Sequence, residues 1–166
     1  MGLSKFETVD NKSYYKNVGS IKALIRYILK DKETGGRVPF YGGTYIDLIT
    51  SDKAEQQLRA VKKYFKKTDS RQMYHYILSF PSNIENPWEV YEIGLDVVNT
   101  FFEGYQTMFA VHENTDNLHI HIILNSVSFV SGKKWHLTDA EYFSLKYRIE
   151  QLADSHFQGH TLQSLC

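Results

Sequence analysis

Three of the chain's seven histidines lie within "VHENTDNLHIHIILN", Val111 to Asn125. His119 and His121 are set among Ile120, Ile122, Ile123 and Leu124, a run suited to a buried strand. Successive strand side chains point to opposite faces, so these two imidazoles share a face with their Cα atoms about 7 Å apart. "NTDN" reads as a short polar turn, which pairs the strand ending at His112 beside them as an antiparallel hairpin. Three neutral imidazoles that leave coordination positions open describe a catalytic metal site rather than a closed structural one. The plainer alternative is three polar residues on a half-exposed strand; the nearby acids Glu113 and Asp116 favour metal. Spacing does not choose zinc over magnesium or manganese.

A phenol could work beside such a site. Of twelve tyrosines, Tyr27 falls on a helix whose apolar face is Ile21, Leu24, Ile25 and Ile28. At 100° per residue Tyr27 lies roughly 110° off the centre of that face, beside Arg26 and Lys30. That position frees the hydroxyl from the core and surrounds it with cations suited to phosphate. An ordinary boundary tyrosine, with ring packed and hydroxyl wet, fits the same spacing. Tyr14 and Tyr15 are the reserve candidates.

The elements that must carry these groups are legible in outline. One helix is expected over Ile21–Lys30 behind Ser20. A second is expected over Asp52–Lys67 behind Ser51, with the stripe Ala54, Leu58, Val61 and Phe65. A third opens at Asn86-Pro87, an N-cap followed by proline at the first helical position. A fourth opens with the capping box Thr138 to Glu141, stapled by Leu137 and Tyr142. Strands are expected over Gln72–Phe80, Gln106–His112 and Leu118–Phe129, with a fourth near Lys5–Val9 or Thr44–Leu48. Residues 35–43, "GGRVPFYGG", read as a mobile loop. The class implied is α+β, an antiparallel sheet with helices packed on it.

With 166 residues and 42% hydrophobic content the chain fits one globular domain. No apolar run approaches the ~20 residues of a membrane span, so no membrane partner is expected; no small-molecule cofactor is expected either. A sole cysteine, Cys166, rules out an internal disulfide and suggests a cytoplasmic setting. The zero net charge divides unevenly: residues 1–72 carry 15 of the 19 basic side chains and 8 of the 19 acidic ones. A basic half suits a polyanion and an acidic half a cation. The run Lys62, Lys63, Lys66 and Lys67 reads as a solvated helix face or a duplex contact. Lys133 and Lys134 are expected near the site, on backbone phosphates. His75, His136, His156 and His160 are most simply surface or boundary residues, although His75 and His121 can meet on one sheet face.

"HENTDNLHIHIILN" resembles the signature of the HUH relaxases, and best that of the P-type mobilisation relaxases: His, an acid, His-x-His, then an apolar run ending in Asn. His112, His119, His121 and Asn125 fall in register, and "SVSFVSGKKWH" after them is also similar. "YHYILSF" resembles the family's second motif, with Ser79 as its serine, and "IKALIRYILKDKET" its first, whose tyrosine is the nucleophile. The likeness runs from about Ile21 to His136. It implies an HUH palm of ferredoxin-like, split βαβ type, and selects Tyr27. Ser79, Arg26, Lys30, Asn125, Lys133 and Lys134 become DNA contacts. In one departure Asn114 stands where the family has Asp, which leaves Glu113, Asp116 and His112 open as the group assisting the phenol.

What the resemblance implies is metal-assisted nicking and rejoining of single-stranded DNA at a conjugative origin of transfer, through a 5′-phosphotyrosyl intermediate. The cofactor would be a divalent ion, Mg or Mn, with Zn or another transition metal as alternatives. The partners would be single-stranded DNA with the hairpin or duplex of the origin, relaxosome accessory proteins and a type IV coupling protein. Family members carry C-terminal extensions, so residues 1–166 would be the N-terminal relaxase domain of a longer protein, acting in a bacterial donor cell and transferred with the DNA. The rival readings are a rolling-circle replication initiator, a water-using metal phosphoesterase and a DNA-binding module without catalysis.

Overall fold

The computed structural model describes residues 3, 5–9, 12–29, 38, 40–113 and 116–163, with side chains for all of these but 12, 13 and 159–163. In chain order the elements are β1 (Lys5–Thr8), α1 (Lys12–Lys16), α2 (Ser20–Leu29), β2 (Tyr41–Thr44), α3 (Ser51–Tyr64), β3 (Met73–Ser79), α4 (Pro87–Phe101), β4 (Thr107–His112), β5 (His119–Asn125) and α5 (Asp139–Gln163). The strands form one five-stranded sheet in the order β1-β3-β5-β4-β2, every pairing antiparallel. Since β3 and β4 both run against β5, they are parallel to each other and joined by α4. β5 is slotted between them, which is the expected split βαβ arrangement.

The local chemistry explains the helix boundaries. Thr50, rather than the expected Ser51, caps α3 by accepting from the Lys53 amide at 3.1 Å. Asn86 caps α4 through the Trp88 amide, with Pro87 just inside. At α5 both halves of the capping box form: Thr138 Oγ1 accepts from the Glu141 amide, and the Glu141 carboxylate accepts from the Thr138 amide. That contact also holds the Glu141 carboxyl below its ordinary range.

The sheet is buried on both faces. Phe6, Tyr76, Leu78, Phe109, Val111, Ile120 and Ile122 pack under α4 and α5. On the other face Met73, Met108, Ala110 and Ile123 pack against α1, α2 and α3. Of the two positions considered for a fourth strand, Lys5–Val9 holds β1, while Thr44–Leu48 shares only Thr44 with β2; β1 and β2 are the two edges. The expected loop over 35–43 is corrected in its last part, since residues 41–43 belong to β2; residues 35–37 and 39 lie outside the described ones. The glycines there answer to close approach, not mobility. A Cβ at Gly42 would come within 2.9 Å of the Phe109 ring, and one at Gly94 within 2.7 Å of the same ring from the opposite side.

Gly94 gives a test with a contested sign. Alanine normally gains about 1 kcal/mol over glycine inside a helix, while overpacking a buried ring costs about 1–3 kcal/mol. Phe109 is fully buried, so the clash should win. Gly94→Ala is expected to lower stability by up to about 2 kcal/mol in urea unfolding. A stabilised variant would mean that α4 has room to retreat.

Candidate metal centre

Antiparallel register assembles the three histidines. His112 and His119 are Cα partners across β4 and β5, and His121 follows two residues on along the same face. Their ring centroids lie 4.2 Å (His112–His121), 5.1 Å (His119–His121) and 5.3 Å (His112–His119) apart. One nitrogen from each lies within 4.8 Å of the others, close enough to hold one ion. His112 and His121 are buried and His119 is half-buried.

The outer nitrogens of these rings show that the trio fits a metal. His112 Nε2 lies 2.7 Å from the Ile28 carbonyl oxygen, and His119 Nδ1 lies 3.2 Å from the Asn117 carbonyl oxygen. Carbonyls only accept, so those two nitrogens carry the protons. In the neutral rings His112 Nδ1 and His119 Nε2 then offer lone pairs, the arrangement found where a ligand histidine is oriented from behind. Ile28 O also belongs to the last turn of α2, whose carbonyls lack partners inside the helix. The negative end of that helix therefore abuts the trio and favours a cation by about 0.3–1 kcal/mol.

Tyr27 stands over this cluster. Its ring centroid is 5.5 Å from that of His121 and 6.1 Å from that of His112, and the residue is 51% exposed. Tyr15, one of the reserve tyrosines, is by contrast buried, and its hydroxyl meets His75 Nδ1 at 2.9 Å. Tyr14 is exposed on α1 and rests edge-on against Tyr15.

Other expectations fare unevenly. Ser79 pairs with His119 across β3 and β5, at the histidine end of the sheet. Arg26 is exposed, and its charge reaches Asp52 at the start of α3. Lys30 lies outside the described residues. Glu113 and Asp116 are not brought into the trio. They are exposed and line a surface hollow with Ser82, Ile84, Glu85, Pro87 and Leu118, beside the start of α4. Glu113 directly follows His112, and strand alternation turns it to the other face.

Lys133 and Lys134 are not near the site. The chain leaves the far end of β5, and six steps of strand rise put roughly 20 Å between His119 and Asn125. Lys134 pairs there with Val127 and bonds to the Asp69 carbonyl at 2.7 Å. Asn125 is fully buried, so it does not reach DNA. Its side chain accepts from Lys62 Nζ and donates to the Leu58 carbonyl and the Gln106 side chain.

Two residues depart from their simplest sequence reading. Lys62 is buried, not part of a solvated basic face: Ala54, Leu58 and Lys62 form the inward line of α3, in place of the expected Val61 and Phe65. His75, read as a surface or boundary residue, is buried with Nε2 2.7 Å from His121 Nδ1. Burial above all, with the charge of His112 adding, pushes it down to about 4, so it is neutral near pH 7. The signal for His75 was strand parity, which sets it on the face of Met73 and Ile123.

An antiparallel sheet carrying three imidazoles at one end, with a tyrosine exposed above them, defines a candidate metal-assisted phosphoryl-transfer domain. The chain belongs to the family of MobA/VirD2-like relaxase nuclease domains, whose model matches residues 27–157. It is similar to a Staphylococcus aureus "Protein rlx", 26% identical over 105 residues, which are 63% of this chain and 32% of the relative. Another S. aureus protein of that name is 27% identical over 103 residues, 62% of this chain and 32% of its own length. The chain thus spans about a third of the length of these curated relatives. A solved structure described as "Molecular Basis of Vancomycin Resistance Transfer in Staphylococcus aureus" shares the fold. The TM-score is 0.67 at 13% identity, over 94% of this chain and 93% of that one.

Lys62 yields a pH test. Burial, with Lys134 adding, lowers it from 10.5 to about 7. Between these values the unfolded chain binds a proton that the folded chain does not. The destabilisation is therefore complete below about pH 7 and is relieved as pH rises toward 10.5. Lys62→Met should remove this rise, seen as a smaller gain in urea midpoint between pH 7 and 9.5 than in wild type. Equal gains would mean that Lys62 stays charged in the fold.

Proposed function

We propose that this domain nicks and rejoins single-stranded DNA by tyrosine transesterification at an origin of transfer, as the N-terminal, cytoplasmic part of a longer mobilisation protein. The observation that carries the reading is Tyr27, half-exposed with its ring 5.5 Å from His121 and 6.1 Å from His112. Membership of the relaxase nuclease family supports it independently.

His112, His119 and His121 would hold a divalent ion, Mg or Mn by the family's likeness. Such an ion, when bound, draws charge from the non-bridging oxygens of the scissile phosphate and orients it. Tyr27 Oη attacks phosphorus in line, giving up its proton as the new bond forms. The bond from phosphorus to the 3′ oxygen breaks, and that oxygen takes up a proton. The products are a free 3′-hydroxyl strand and a 5′-phosphotyrosyl protein. Because one phosphoester replaces another, the reverse attack by a 3′-hydroxyl reseals the strand. Ser79, at the histidine end of β3, is suited to contact DNA beside the scissile phosphate. The exposed Arg26 and the exposed Lys53 and Lys63 of α3 offer charge to the backbone.

With Mn2+ and a labelled origin-of-transfer oligonucleotide, the protein is expected to form a covalent species carrying the 3′-side fragment. Tyr27→Phe should form none, while binding the oligonucleotide within a few-fold of wild type, because phosphate contacts supply most of the affinity. Tyr14→Phe should retain the adduct. His119→Ala and His121→Ala should lose most Mn2+ binding and nearly all cleavage. An adduct mapped to another residue would remove Tyr27 from its role. Cleavage with no protein attached would replace this reading by a water-using phosphoesterase.

A further inference from the structure

His112 and His119 each donate a ring N–H to a carbonyl, which can do nothing but accept. The partner of His121 is of another kind. Its Nδ1 faces a second imidazole, His75 Nε2, at 2.7 Å, and His75 Nδ1 faces the Tyr15 hydroxyl at 2.9 Å. A neutral imidazole carries one N–H and one lone pair, so this buried chain can be protonated in two directions. If Tyr15 donates to His75 and His75 donates to His121, then His121 Nε2 carries the hydrogen and is closed to a metal. If His121 donates to His75 and His75 donates to the Tyr15 oxygen, then His121 Nε2 presents a lone pair.

We propose that His75 and Tyr15 are positioning residues that hold His121 in its metal-binding tautomer, His75 by accepting from His121 Nδ1–H and Tyr15 by accepting from His75 Nδ1–H. This rests on the reading of His112, His119 and His121 as the metal centre. The pair is built for the task. Both residues are buried, and Tyr15 comes from α1, outside the sheet. Arg71 stacks over the Tyr15 ring, its guanidinium carbon 5.0 Å from the centroid, and so fixes that ring from the side. The Gln72 amide donates to the Tyr15 carbonyl at 2.7 Å, anchoring α1 to the start of β3. Sequence distance hides the arrangement: Tyr15, His75 and His121 come from α1, β3 and β5.

The test combines metal affinity with a direct view of the protons. Mn2+ titrations would compare wild type with His75→Leu, His75→Gln, Tyr15→Phe and His119→Ala. Loss of a group that orients a ligand histidine typically costs 10–100-fold in metal affinity. His75→Leu should therefore weaken Mn2+ by about that factor. His75→Gln, whose amide oxygen can still accept from His121, should recover most of it, and Tyr15→Phe should show a smaller loss than His75→Leu. Two-bond proton–nitrogen spectra of the Zn2+-loaded wild type should show both His121 and His75 with the hydrogen on Nδ1. An Nε2–H tautomer at His75 there, or wild-type Mn2+ affinity in a folded His75→Leu, would overturn the proposal. The spectra decide it even if His75→Leu fails to fold. If His119→Ala binds Mn2+ as tightly as wild type, the metal centre itself fails, a result distinct from failure of the His75 role.

Discussion

The pairing of β5 with β3 on one side and β4 on the other is the constraint on which the molecule depends. β5 is the middle strand of five and is buried on both faces. A slip of one residue would turn Ile120, Ile122 and Leu124 out of the α4–α5 core and carry His119 and His121 into it. The apolar residues and the imidazoles are thus two readings of one register. Hydrophobic burial on the α4 and α5 side sets the position of the histidines on the other side. Gly42 and Gly94 serve the same end, letting an edge strand and a helix close on Phe109 beneath the strand that carries His112.

Much of this was written locally. Ile120, Ile122 and Leu124 alternate with His119 and His121, so strand parity alone put both imidazoles on one face, and the polar turn added His112. Asn86-Pro87 and the box from Thr138 to Glu141 announced α4 and α5 because caps satisfy backbone amides within one turn. What failed depends on distance. Glycines at 42 and 43 resemble a loop until Phe109 and Thr107 are known to press on them. Helical periodicity finds the inward line of α3 but not that Lys62 ends it, because the Asn125 side chain that receives the lysine lies in another element. Lys133 and Lys134 are close in sequence to His121, yet an extended strand carries them away at about 3.3 Å per residue.

Asn125 illustrates how a motif residue can serve a site without touching its substrate. Gln106, Leu58 and Lys62 all bond to its side chain. The network ties α3 to the ends of β4 and β5 opposite the histidines. Burying a lysine without a carboxylate partner is costly, and the low value for Lys62 reflects this. A neutral amine donating to an amide lessens the cost. It makes the attachment of α3 specific to this one side chain rather than to any apolar contact.

The contact between His112 and the Ile28 carbonyl has a mechanical side. Tyr27 and Ile28 are successive residues in the last turn of α2, one facing solvent above the trio and the other hydrogen-bonded to one of its members. A load applied at the Tyr27 hydroxyl travels along one peptide unit before it reaches the oxygen that sets the orientation of His112. The end of α2 is therefore a short lever with its arm in solvent and its fulcrum in the Ile21, Leu24 and Ile25 packing. A pull on the phenol would thus bear on the carbonyl that orients an imidazole.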